Sequence, residues 1–184
     1  MPNRGSSTRS GNGFRVRSAT TADFELLVRH REQMWIDIGS FRPAEIRAAA
    51  GRSRTWIRRE VHAGRYLGFI AETPAGRVAG SGAIWIHPTQ PRPGPQPRAV
   101  APYILSMYTE PEFRRRGVAT RLVVEMLEWA RRNGYRRVTL HASTEGRPVY
   151  LRLGFEPSNE MRIDLGRVRG GSPLGPTRAR RRKR

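Results

Sequence analysis

The order of elements along this chain predicts a mixed α/β fold: a mostly antiparallel sheet with one parallel pair, strands four and five, flanked by helices. Three observations carry that expectation. Short apolar or alternating segments bounded by turn residues recur at Phe14–Arg17, Tyr66–Glu72, Arg77–His87 and Tyr103–Thr109, and read as strands. Longer segments with apolar residues at helical spacing lie between some of them. A helical stretch separates Tyr103–Thr109 from the strand-like Arg136–Ala142, and two strands joined by a crossover helix run parallel.

Each element has a local reason. Phe14-Arg15-Val16-Arg17 alternates, as a half-buried first strand does. Thr21 is the expected N-cap of a helix carrying Phe24, Leu27, Val28, Met34, Trp35 and Ile38, which ends at Gly39. Pro43 at a first helical position opens a second helix through Ala44–His62, with Ile46, Trp56, Ile57 and Val61 as its apolar stripe. Thr73-Pro74-Ala75-Gly76 is the turn of a hairpin between Tyr66–Glu72 and Arg77–His87. Proline density from Pro88 to Pro102 predicts a long unpaired surface loop. A helix from about Gly117 to Arg132 buries Val118, Leu122, Val123, Met126, Leu127 and Ala130. Arg147–Leu153 is a short helix, and Phe155–Leu165 is read as the last strand or strands.

Composition bounds the function. A chain of 184 residues with 37% hydrophobic content and four Trp can bury one core. The chain has no Cys, which removes disulfides, thiol nucleophiles and Cys-ligated metal. His30, His62, His87 and His141 are scattered without ligand spacing, so no metal site is expected. No segment approaches the roughly 18 consecutive apolar residues that span a bilayer. The opening residues lack an apolar signal-peptide core, and a cytoplasmic location is the expectation.

The net charge of +20 invites a nucleic-acid reading. Half of that excess lies in residues 1–13 and 166–184, which carry no acid, and only Lys183 is a lysine. Nothing in polyanion binding requires lysine to be avoided, so the skew is a compositional habit. Non-specific attraction screened by salt is expected; specific nucleic-acid binding is not. The two ends are Gly, Ser, Pro and Arg with little apolar content, so both are expected to be disordered tails around a domain at 14–165.

The most informative stretch is Tyr103–Leu122, a strand, a glycine-containing loop and a helix start. The first turn of a helix offers free N–H groups at the positive end of its macrodipole, where a phosphate can sit. Gly117 removes the Cβ that would block close approach, Ala119 is small, and Arg114, Arg115 and Arg116 add fork-shaped positive charge. The spacing Arg114-x-x-Gly117-x-Ala119 after a strand resembles the acetyl-CoA-binding signature of the GNAT superfamily of N-acetyltransferases. Farther on, Tyr150 followed at four residues by Gly154-Phe155 resembles that superfamily's second motif, at the right distance from the first. Two weak motifs in the right order are far more specific than either alone.

The resemblance covers residues 14–165, most specifically 103–155. It implies a sheet whose parallel strands four and five splay apart at their carboxyl ends, where open α/β sheets bind ligands. It implies acetyl-CoA as acetyl donor. Backbone groups of Met107, Tyr108 and Thr109 would pair with the pantetheine arm. Backbone N–H groups from Arg115 through Arg116, Gly117, Val118 and Ala119 to Thr120 would hold the pyrophosphate, with the Arg114 and Arg115 side chains reaching phosphates. Tyr150 would be the proton donor to the departing thiolate. The superfamily often has Asn seven residues before that Tyr; here Ser143 stands there and offers one hydroxyl instead.

The reaction implied is attack of a neutral amine on the thioester through a tetrahedral oxyanion, within a ternary complex. The acceptor is expected to be a small-molecule or peptide amine, and a homodimer stays open. Glu32, Asp37, Glu72, His87, Glu110 and His141 are all candidates for the general base, and His141 within a strand reads most simply as a satisfied buried histidine. Two other functions stand beside the enzyme: a nucleic-acid or ribosome-associated binder using the basic tail Arg178–Arg184, and a non-catalytic regulator on the same fold.

Overall fold

The computed structural model describes residues 13–90 and 99–163. Five strands stand side by side in chain order: β1 (Arg15–Ser18), β2 (Tyr66–Glu72), β3 (Val78–Pro88), β4 (Val100–Thr109) and β5 (Thr139–Leu140). Neighbours from β1 to β4 pair antiparallel, and β4 with β5 is the parallel pair. One face of the sheet is covered by α1 (Phe24–Ile38) and α2 (Pro43–His62), the other by α3 (Val118–Arg132) and α4 (Arg147–Arg152). Among the described residues no helix is long and apolar enough to cross a membrane.

The α3 face is built on apolar periodicity. Val118, Leu122, Val123 and Met126 recur at helical spacing and are fully buried against Phe69, Ile84 and Ile104 of the sheet. Burying each such side chain contributes about 1.5–3 kcal/mol. The α3–sheet approach is close because β3 reads Gly80-Ser81-Gly82. A Cβ on Gly80 would lie 2.5 Å from the Tyr108 carbonyl oxygen and 3.0 Å from Val118 Cγ1, and one on Gly82 would lie 2.7 Å from Met126 Cε. Glycine at these positions sets where the carboxyl end of β4 meets the start of α3.

Four boundaries differ from the sequence reading. Thr21 does not cap α1: a 3-10 turn over Thr21–Asp23 with Thr20 as its N-cap precedes the helix, the Asp23 carboxylate reaches back to accept from the Thr20 N–H at 2.8 Å, and Asp23 is the N-cap of α1. The loop after β3 is shorter than Pro88–Pro102, since Pro88 pairs with Val100 and Pro102 with Ile86. Proline lacks only the N–H. Pro102 sits beyond the short β5 ladder, which begins at Tyr103, so an edge position tolerates it. β5 spans Thr139–Leu140 rather than Arg136–Ala142, and no strand forms over residues 155–163. Pro157 interrupts that last segment, and Met161 is 94% exposed. The tails expected at 1–13 and 166–184 lie, apart from Gly13, outside the described residues.

Candidate active site

β4 carries an irregularity at its carboxyl half. Ser81 pairs with Tyr108 and Ala83 with Leu105, so Ser106 and Met107 together oppose the single residue Gly82. This is a β-bulge, which leaves a backbone group out of the ladder. Ser106 holds φ at 55°, left-handed backbone that a non-glycine residue adopts at a cost of about 1–2 kcal/mol. The bulge splits the neighbouring side chains between the faces. Met107 turns toward Gly82 and the α3 core, while Ser106 and Tyr108 turn toward α1.

Beyond β4 the chain makes a 3-10 turn at Pro111–Phe113 and then the basic loop. Arg115 (φ 60°) and Gly117 (φ 85°) are both left-handed, a backbone that folds N–H groups toward one side. At +85° only glycine rests without strain. The first helical bond of α3 runs from Arg121 N–H to the Gly117 carbonyl at 2.9 Å, no side chain caps the helix, and its first turn holds no acid. Val118 points into the core, so its backbone alone faces the loop, and Ala119 and Thr120 are half-buried. An anion with several oxygens fits this combination. Arg115 and Arg116 are exposed beside it. Arg114 is exposed too but engaged: it donates to the Thr109 carbonyl at 3.2 Å and to Asp37 at 2.6 Å.

Tyr150, on α4, and His141, just past β5, line one cavity of about 420 Å³ together with Tyr103, Leu140, Phe155 and Glu160. The Tyr150 ring packs edge-on against Phe155 at 5.7 Å. Its hydroxyl has no hydrogen bond among the described residues, and burial pushes its pKa up to about 12, so the phenol keeps its proton at neutral pH. Ser143 is a turn residue here: its hydroxyl accepts from the Gly146 N–H at 3.1 Å, ahead of α4. A Cβ on Gly146 would stand 3.1 Å from the Tyr150 ring and 3.3 Å from Ser143 Oγ, which places the three together.

His141 is not the buried histidine that its strand context predicts. Its side chain is 67% exposed; the ring bonds the Tyr103 hydroxyl through Nδ1 and the Glu160 carboxylate through Nε2 at 3.1 Å. The buried histidine is His30 on α1. Its Nδ1 lies 2.8 Å from Ser81 Oγ and its Nε2 lies 3.0 Å from Glu110. Burial holds its pKa below the ordinary 6.5, with the Arg29 charge adding to the effect and Glu110 opposing it. Glu110 is thus tied to His30 and Arg29. Asp37 is tied to Arg114, and Glu72 to Arg15 and Arg17.

Sequence reasoning brought Met107 to Thr109, the Arg114–Thr120 loop, Ser143 and Tyr150 to the carboxyl end of the parallel pair. It did not single out Arg31, Ser106, Tyr103 and Glu160, which meet their partners only in the folded chain. The alternating small residues Gly80-Ser81-Gly82 were the available signal for the bulge opposite them.

Comparison with known proteins converges on one family. The family model described as "Acetyltransferase (GNAT) family" matches residues 29–155. A curated relative, glucosamine 6-phosphate N-acetyltransferase from Trypanosoma brucei brucei, is 34% identical over 93 residues, covering 50% of this chain. The match spans 60% of that relative's length. A GCN5-related N-acetyltransferase from Ralstonia eutropha JMP134 superposes with a TM-score of 0.76 at 27% identity, over 84% of this chain and 99% of its own. A predicted acetyltransferase from Clostridium acetobutylicum, solved with acetyl-CoA, has a TM-score of 0.72 at 26% identity, over 83% of this chain and 96% of its own.

Proposed function

Because this chain belongs to the GNAT family of acetyltransferases, we propose that it moves the acetyl group of acetyl-CoA to the primary amine of a small acceptor, with both substrates held at once. The observation that carries this reading is the alignment of three features at one end of the parallel pair. These are the uncapped N-terminus of α3, the bulge at Ser106–Met107, and the protonated Tyr150 hydroxyl. The residues fit the donor. Arg115 to Thr120 would hold its pyrophosphate by backbone N–H groups, and the β4 edge at Met107, Tyr108 and Thr109 would take its pantetheine amides. Acetyl-CoA supplies an activated acyl group as a thioester.

The chain's own groups do the rest. Backbone donors freed by the bulge lie where negative charge develops on a carbonyl oxygen, an arrangement that preorganised N–H groups stabilise strongly. Tyr150 holds a proton for the departing sulfur. The Tyr103–His141–Glu160 chain opens on the same cavity and offers the acceptor's proton a path to solvent. Relatives named for acetylating glucosamine 6-phosphate make amino sugars the first acceptors to try. The catalytic unit is placed at 14–165 and in the cytoplasm, with both tails dispensable for turnover.

The test pairs calorimetry with a screen. Acetyl-CoA should bind the parent, and Gly117→Val should weaken that binding, since φ of 85° and close phosphate approach both exclude a branched Cβ. Amines, amino sugars among them, are then screened by release of free thiol. Equal affinity in a folded Gly117→Val variant would remove the loop from the site. Binding without turnover of any amine would favour a regulator over an enzyme.

A further inference from the structure

The half-buried arginines among the described residues find carboxylates. Arg17 holds Asp23 and Glu72, Arg54 holds Glu25, Arg65 holds Glu60, and Arg121 faces Glu125. Arg31 is the departure. It points from α1 under the sheet with no carboxylate partner among the described residues, and its one hydrogen bond is Nη1 to Ser106 Oγ at 3.0 Å. Its Nε is buried without any partner. The guanidinium is instead held by rings, 5.7 Å from the Trp35 centroid and 5.8 Å from Trp56. Burial pushes its pKa down, with the neighbouring Tyr66 hydroxyl opposing the shift, as for a cation stripped of water with no carboxylate beside it.

The place matters as much as the missing partner. Ser106 is the first residue of the bulge, next to Met107, so the Arg31 guanidinium is anchored beside the backbone where the acetyl group is proposed to sit. From Trp56 an aromatic wall continues through Trp85 at 5.4 Å, then His87 at 5.2 Å, then Tyr103 at 6.0 Å, and reaches His141 at the Tyr150 cavity. The His87 Nε2 on that wall is a second buried polar atom without a partner. One end of this path therefore holds the proposed proton chemistry, and the other holds a planar cation without a carboxylate partner.

We propose that Arg31 recognises an anionic group on the acceptor, so that the amine acetylated here carries a carboxylate or phosphate a short distance from its nitrogen. The proposal rests on the acetyltransfer reading above and names the acceptor class for that site. With Nη1 on Ser106 and Nε buried, the Arg31 guanidinium keeps Nη2 without a partner among the described residues, and its charge would attract either anion where a neutral acceptor would leave it uncompensated. The charge on the acceptor also compensates for the stripped water, which favours binding of the anionic form over a neutral analogue of equal shape.

Matched pairs test this: γ-aminobutyrate against its carboxamide, and phosphoethanolamine against ethanolamine, with the first pair isolating carboxylate and the second phosphate. The parent should prefer the anionic member of at least one pair by about 10- to 100-fold in kcat/KM. In Arg31→Met the preference should collapse toward unity, mainly through KM, with acetyl-CoA affinity unchanged as the check on folding. Arg31→Lys should keep part of it. A parent that does not discriminate, or an Arg31→Met that discriminates as the parent does, overturns the proposal. A turnover-free arm follows tryptophan fluorescence, since Trp35 and Trp56 flank the guanidinium. Arg31-dependent saturation by an anionic probe with no acetylation would keep the anion subsite and sink the acetyltransfer reading. Acetylation of neutral amines with no such saturation would do the reverse.

Discussion

The two faces of the sheet are built on different physics. Under α3 the core is apolar throughout, from Phe69 and Ile84 to Leu122 and Met126. Under α1 and α2 lie all the buried polar and charged groups among the described residues: His30, Glu60, Glu72, Ser81 and Ser106, with half-buried Arg31 beside them. The apolar face fixes where α3 starts and therefore where a phosphate can be held. The polar face is costly to desolvate, and burial there is tolerated only with partners in place. A fold that needed only stability would have no reason to place this cost on one side. On the reading proposed above, the α3 face positions the donor and the α1–α2 face is the side that would meet the acceptor.

The largest expected effect lies at the seam between them. Tyr150→Phe removes the hydroxyl while leaving the ring against Phe155. General acid catalysis contributes about 10²–10⁴-fold, so turnover should fall by that order with acetyl-CoA affinity and melting temperature little changed. Steady-state kinetics on an acceptor from the screen, beside a cofactor titration, measure both. Turnover within a few-fold of the parent would mean that the leaving sulfur takes its proton elsewhere.

On the apolar face, Met126→Ala should cost about 2–5 kcal/mol, since Met126 is fully buried and its neighbours close only in part around the cavity. Urea unfolding at neutral pH reads this, and the loss should be the same at pH 6. A smaller penalty, about 1–3 kcal/mol, is expected for Gly80→Ala, where the new Cβ meets the Tyr108 carbonyl at 2.5 Å. Because that contact is backbone, the strain should displace β4 from α3 and weaken acetyl-CoA binding as well. Lost stability with unchanged cofactor affinity would separate the packing of the junction from the donor site.

The same contrast explains what the sequence made legible. The proposed donor side is local: a strand end, a glycine loop and a helix start within Met107–Thr120 can be read from contiguous residues, and so can the apolar stripe of α3. The proposed acceptor side is assembled at long range. Arg31 meets Ser106 75 positions away and Tyr103 meets His141 38 positions away, and no periodicity encodes such pairs. His141 was misread for that reason, because alternation reports a face of the strand and not whether a strand partner covers it. Pro102 was misread in the opposite direction: a missing donor forbids a central ladder position, but not one past the end of the neighbouring strand.

The smallest effect is the one that singles out the polar face by pH. His30 is fully buried, with Ser81 and Glu110 on its two nitrogens, Arg29 beside it and the Tyr108 ring at 4.7 Å. Its folded pKa is depressed, first by burial. Above the ordinary 6.5 both folded and unfolded chains hold it neutral, and its full stabilising contribution is present. As pH falls below that value the unfolded chain takes up a proton that the folded chain refuses. Stability then drops by at most about 1.4 kcal/mol per pH unit, until the folded pKa is passed. Carboxylates held low by arginines, such as Glu60 at about 2, lose their contribution only below the ordinary 4.5, so the window from 6.5 to 5 is clear of them. Unfolding free energy measured across that window should fall in the parent and fall less steeply in His30→Gln. His62, His87 and His141 are present in both proteins, so the difference in slope reports His30. Equal slopes would mean that the buried ring is already protonated against Glu110, and the polar face would then hold an ion pair where a neutral histidine is inferred.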